Sequence, residues 1–135
     1  MIVLENTKTL VTDTKTVVKI FRDLLSTEDS IDQEKEHFFI MHLDARNRIS
    51  MVELIALGSI NATITHPREV FRRAITAGSV SIIVGHNHPS GNPEPSDTDI
   101  RTTEQLHKAG EILEIPLIDH IIFAKESFYS FRENN

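Results

Sequence analysis

At 135 residues, with 39% hydrophobic and 25% charged residues, the chain is expected to form one globular domain with a real core. It contains no cysteine, which excludes disulfides, thiolate metal sites and the Cys-x-x-Cys pattern of zinc deaminases. A formal charge of −6 argues against a role that coats nucleic acid, and with no apolar run of transmembrane length and no leader pattern the expected location is cytoplasmic.

Ile2-Val3-Leu4 and Leu10-Val11 predict a lead-in segment or an edge strand. Asp13 suits the N-cap of a helix reaching about Leu25, because Val17, Ile20, Phe21, Leu24 and Leu25 recur on one face. Ser26 to Gln33 is polar and reads as a loop. Glu36 to Asp44 is an almost continuous apolar run, as in a strand buried on both faces. A turn at Asp44 to Asn47 and a returning strand from Arg48 to Leu57 make an antiparallel hairpin. Gly58 to Asn61 breaks it, and Ala62 to Thr65 reads as a short extended piece.

Pro67 fits the first turn of a second helix, with Val70, Phe71, Ala74 and Ile75 as its apolar face and Gly78 at C′. Ser79 to Gly85 is a β-branched run and predicts a buried strand. A third helix is expected from about Ser96 to Ala109, with Gly110 as its stop. Ile115 to Ala124 predicts another strand, and Phe128 to Phe131 a closing one. The alternation predicts an α/β domain with a mixed central sheet flanked by helices.

The stretch His86-Asn-His-Pro-Ser-Gly-Asn-Pro-Glu-Pro-Ser-Asp-Thr-Asp99 carries the chemistry. Residues i and i+2 of a strand share a face, so His86 and His88 would project together from the strand's end. Pro89 stops the strand, and the following residues are turn chemistry. Ser96 and Asp99 open the next helix. Two imidazoles and one carboxylate form a common zinc shell with a fourth position open for water, although several divalent ions accept that set. Hydrolysis also requires a general base and a donor to the developing oxyanion. Ser96 is the candidate donor, and Glu36 and Glu53 are the candidate bases.

Each feature also has a purely structural reading. Ser96-x-x-Asp99 resembles a capping box, and a His-x-His pair is a weak signal alone. Iron oxygenases use two histidines and a carboxylate as well, but the order here fits them poorly. The tripeptide His86-Asn87-His88 is no evidence for an HNH nuclease, whose residues are dispersed over a longer element. His120 reads as a supporting or substrate group, or as a satisfied core histidine beside Asp119. His66 reads as a helix-start residue, and His37, His42 and His107 as surface residues. Arg72-Arg73 reads as a solvated helix face, while Arg68, at a helix start, is placed to meet an anion.

The spacing His86-x-His88, seven residues, Ser96, two residues, Asp99 resembles the JAMM motif of the MPN metalloprotease domain. The strings HPREVF (66–71), HNHPSGNPEPS (86–96) and DHIIF (119–123) resemble the bacterial RadC proteins, and the likeness runs from about Thr7 onward. It implies a cytidine deaminase-like fold over residues 1–135 as one domain. It implies zinc on His86, His88 and Asp99, Glu36 as base, and Ser96 steadying the tetrahedral intermediate. The implied reaction is hydrolysis of a peptide or isopeptide bond in a peptide or protein substrate; the sequence leaves a homo-oligomer open. Ubiquitin specificity does not carry over, because the insertions that position ubiquitin are not recognisable. RadC proteins were named for DNA repair, and their N-terminal helix-hairpin-helix region is not found in this sequence. The competing reading is a repair-associated accessory or interaction domain with a structural or vestigial metal site. Membrane contact and direct nucleic-acid binding are not expected.

Overall fold

The computed structural model describes residues 2–5, 8–58 and 66–134, with side chains described at 8–55, 58 and 66–134. The first helix, α1 (Thr14–Ser26), starts where expected, because the Asp13 carboxylate accepts the Thr16 N–H at 2.8 Å. Strands β2 (Glu36–Leu43) and β3 (Ile49–Gly58) form the expected hairpin, and every residue of β2 is buried. Asn47 takes the left-handed conformation in the connecting turn, and the Asp44 carboxylate accepts the Arg46 and Arg48 N–H groups. A short 3-10 turn, Asp32–Glu34, lies inside the predicted loop. Gly58 ends β3 rather than breaking the chain. The rest of the predicted break and the extended piece at Ala62 to Thr65 lie outside the described residues.

Among the described residues, six strands form one mixed sheet in the order β1-β3-β2-β4-β5-β6, where β1 is Ile2–Glu5, β4 is Ser81–Asn87, β5 is Leu117–Phe123 and β6 is Phe128–Ser130. Of these strands only β4 and β5 run parallel, joined by the crossover helix α3 (Asp97–Leu113). Helix α1 covers one face, where Val17, Val18 and Phe21 pack on Phe39, Met41, Ile83 and Phe123. Helices α2 (Pro67–Thr76) and α3 cover the other, where Phe71, Ala74 and Leu106 pack on Phe38, Ile40, Ile82 and Val84.

Several expectations need correction. The strand predicted at Ser79 to Gly85 is displaced by two residues, so His86 lies within β4 and not beyond its end. Gly85 is interior, and a methyl there would meet the Phe21 ring at 2.5 Å. Helix α3 passes through Gly110 and ends at Glu114, which adopts the left-handed conformation itself. Gly110 is there for proximity, since a Cβ would sit 2.7 Å from the Ile115 carbonyl oxygen. Ile75 is 58% exposed rather than part of the buried face of α2. His37 and His42 are fully buried, not on the surface, because the β2 strand that carries them is sandwiched between two helical layers. His107 is exposed as expected.

Candidate metal centre

His86 sits on the α2/α3 face of β4, opposite Phe38 of β2, whose ring stacks on it at 6.0 Å. His88 lies one residue past the strand but remains tied to it, since its N–H donates to the Phe123 carbonyl of β5 at 2.9 Å. The turn beyond is closed by the Gly91 N–H to the His88 carbonyl, with Gly91 at a positive φ of 92°. That turn returns the Asn92 carbonyl to His88 Nδ1 at 3.0 Å. A carbonyl only accepts, so Nδ1 carries the proton and the neutral ring presents Nε2 as a bare lone pair.

Asp99 reaches the same point from the first turn of α3. The capping box is real: Ser96 Oγ accepts the Asp99 N–H at 3.0 Å, and Asp99 Oδ2 accepts the Ser96 N–H at 2.9 Å. The side chain that closes the capping box therefore also faces the two imidazoles. Its Oδ1 lies 3.2 Å from His86 Nε2, and its Oδ2 lies 3.2 Å from His88 Nε2. The two Nε2 atoms are 3.0 Å apart. Among the described residues, His86, His88 and Asp99 are the group whose ligand atoms all lie within 4.8 Å of one another.

This donor set fits a divalent ion. Tetrahedral zinc with bonds of about 2.0–2.1 Å holds its ligand atoms roughly 3.3 Å apart, close to the separations observed. The electrostatics point the same way. Burial alone would raise the Asp99 carboxyl, but the facing rings of His86 and His88 and the Ser96 N–H hold it well below the ordinary carboxylate range. Burial alone would lower His88, but Asp99, the Asn92 carbonyl and the Glu36 charge together raise it. Asp99 and His88 thus favour a positive charge at the point where they meet.

His120 takes the supporting position behind this cluster. It is buried, its Nε2 lies 2.9 Å from His86 Nδ1, and its Nδ1 lies 2.6 Å from Thr103 Oγ1. Burial and the neighbouring His86 depress its pKa far below the usual imidazole value. Its ring bonds to His86 and Thr103 rather than to Asp119, whose carboxylate accepts the Ser130 hydroxyl and the Arg132 N–H.

Over residues 11–135 the chain matches the family model of the RadC-like JAB domain. The chain belongs to this family. It is 47% identical over 104 residues to a protein of Chlorobium phaeovibrioides, covering 77% of this chain and 47% of that one. A Methanosarcina mazei relative is 45% identical over 102 residues (76% and 44%), and one from Shouchella clausii 45% over 109 (81% and 47%). All three bear the name UPF0758 protein, and the chain spans about half the length of each.

Within this RadC-like domain the two candidate bases separate. Glu36 is buried at the start of β2, two residues before Phe38 and hence on the same sheet face as His86. It stands outside the ligand cluster. Glu53 is two strands away from β4, roughly 10 Å across the sheet. Its carboxylate is bonded to His42 Nε2 at 2.8 Å and to Arg73 at 3.0 Å. Arg73 is therefore not part of a solvated face, whereas exposed Arg72 pairs with Glu69. His66 occupies the N-cap position of α2 as expected, and Arg68 is exposed.

Neither Thr103 nor Asn87 stands out in the sequence as a site residue. Thr103 was findable as the residue one helical turn beyond Asp99. Asn87 bridges strands: its Oδ1 accepts the His37 N–H at 2.6 Å and its amide donates to the Lys35 carbonyl at 3.0 Å. Only the pairing of β4 with β2 reveals that. Beside His88 lies a groove of about 630 Å³ lined by Arg22, Leu25, Asn87, Gly91 and Phe123 among others. Among the described residues no helix is long and apolar enough to cross a membrane.

Proposed function

We propose that this RadC-like domain is a zinc-dependent hydrolase of peptide or isopeptide bonds. The observation that carries the reading is the convergence of His86 Nε2, His88 Nε2 and the Asp99 carboxylate within 3.0–3.2 Å of one another, with Glu36 on the same sheet face. These three side chains would hold the ion. Zinc bound there supplies Lewis acidity and a water acidified to a pKa near 7. Glu36 accepts a proton from the attacking water as its oxygen bonds to the carbonyl carbon, then delivers a proton to the nitrogen as the C–N bond breaks. Ser96 uses its oxygen as the acceptor of the Asp99 N–H, so its own hydroxyl proton remains for the substrate oxygen on which charge develops. The groove beside His88 offers an extended chain a way in.

The test is zinc content by mass spectrometry, followed by turnover on a library of fluorogenic peptides. About one zinc per chain is expected, lost in His86→Ala and His88→Ala. Glu36→Gln should keep the zinc and slow hydrolysis about 10²- to 10⁴-fold. A chain that takes no zinc after incubation with it would overturn the reading. Full turnover in Glu36→Gln would assign the base elsewhere. Zinc uptake with no cleavage across the library would favour an interaction domain with a structural metal.

A further inference from the structure

The two candidate histidine ligands are oriented by different devices. His88 donates from Nδ1 to a backbone carbonyl, which can only accept. His86 meets another histidine, which can donate or accept, so the pair alone does not say which nitrogen of His86 holds the proton. The answer lies further along the chain of contacts.

Thr103 Oγ1 lies 2.7 Å from the Asp99 carbonyl oxygen, one helical turn back, and 2.6 Å from His120 Nδ1. The hydroxyl has one hydrogen for two contacts. The carbonyl has none to give, so a 2.7 Å approach requires the threonine to donate there. His120 Nδ1 must then supply the proton of the second contact. With Nδ1 protonated and the buried ring neutral, His120 Nε2 is a bare acceptor. The 2.9 Å contact is accordingly a donation from His86 Nδ1. His86 is left with a lone pair on Nε2, the atom that faces His88 and Asp99. Stacking on Phe131 at 5.0 Å and contact with Phe38 at 5.9 Å hold the His120 ring in the orientation this needs.

We propose that Thr103 and His120 form a tautomer lock, positioning residues that keep the proton of His86 on Nδ1 and present Nε2 ready for a divalent cation. Reversing the relay at any point would place a hydrogen on His86 Nε2, between the groups meant to bind metal. The lock also ties both arms of the centre together. Its last contact is the carbonyl of Asp99, so the helix that delivers the carboxylate sets the proton on the strand that delivers the histidine. The inference rests on the metal-binding half of the proposed function and is independent of the hydrolytic half.

The test uses the full chain. In the metal-free protein at about pH 9, where neutral imidazole prevails, long-range proton–nitrogen NMR of labelled histidines reads the tautomer directly. His86 and His120 should both be protonated at Nδ1. Zinc affinity, measured with zinc alone against a competing chelator, should fall about 10- to 100-fold in Thr103→Val. Thr103→Ser, which keeps the hydroxyl, should bind as the unaltered chain does. A proton on His86 Nε2 in the unaltered chain would overturn the lock. So would a folded Thr103→Val that binds zinc with unchanged affinity. If Thr103→Val does not fold, the spectrum of the unaltered chain decides. A chain that takes no zinc yet shows Nδ1–H on both rings would support the lock while refuting the metal reading.

Discussion

Replacing Gly85 with alanine probes how closely α1 presses on the strand that carries His86. The new methyl would lie 2.5, 2.8 and 2.9 Å from Cε2, Cδ2 and Cζ of Phe21. Carbon atoms are comfortable at about 3.5–4.0 Å, so ring or strand must yield by about 1 Å. The ring has little room, being fully buried and stacked between Phe39 at 5.7 Å and Phe123 at 5.8 Å. Overpacking of this kind costs about 1–3 kcal/mol, and the closeness of three ring atoms places Gly85→Ala in the upper half, about 2–3 kcal/mol. For a chain of this length that is a fall in Tm of roughly 6–12 °C. Chemical denaturation and thermal melting followed by circular dichroism would measure it. Adding Phe21→Leu should return part of the loss, with a coupling of about 1 kcal/mol or more in a double-mutant cycle. If β4 yields rather than the ring, His86 moves with it and zinc affinity falls in parallel. A loss below about 0.5 kcal/mol would refute the packing argument.

The buried pair of His42 and Glu53 predicts a pH dependence. Burial depresses the His42 pKa below 6.5, partly opposed by its bond to Glu53 and assisted by Arg73. The unfolded chain binds that proton first, so this contribution is complete above about pH 6.5 and is lost as the pH falls below it, at up to about 1.4 kcal/mol per pH unit. His42→Gln should flatten the slope of unfolding free energy against pH in that window, and an unchanged slope would assign the dependence to other groups. Glu53→Ala leaves His42 and Arg73 without their shared acceptor. It should cost about 2–3 kcal/mol in urea unfolding while leaving zinc content intact. Ser96→Ala removes the N-cap of α3 and should cost about 1 kcal/mol. It should retain zinc and lose turnover, whereas Asp99→Asn should lose zinc.

The candidate centre was unusually legible because its parts are local. His86 and His88 share a strand end, and Asp99 follows within one turn-and-helix unit, so spacing alone brings the imidazoles together and places the carboxylate nearby. Of the supporting residues, His120 was legible only as one of two alternatives and Thr103 not at all, for the opposite reason. His120 and Thr103 lie on β5 and α3, and their contact depends on the parallel pairing of β5 with β4. Glu36 and Glu53 look alike in sequence, each a carboxylate in an apolar strand. They differ only because β2 lies beside β4 while β3 does not, and because Arg73 and His42 occupy Glu53.

Patterns of period 3.6 and 2, with a capping aspartate, a Pro at a helix start and a turn-rich stretch after Pro89, specified the elements and their order, since those signals act between residues a few positions apart. Burial on both faces of β2 was legible in its continuous apolar run. That run did not reveal that His37 and His42 would be buried with it, because burial belongs to the layer in which a strand ends up. Gly85 read as the last residue of a strand and Gly110 as a helix stop, yet each serves a close approach between elements distant in the chain. A residue's neighbours along the sequence set its backbone conformation. The strand order of the sheet sets which side chains meet, and the chemistry of this centre is decided there.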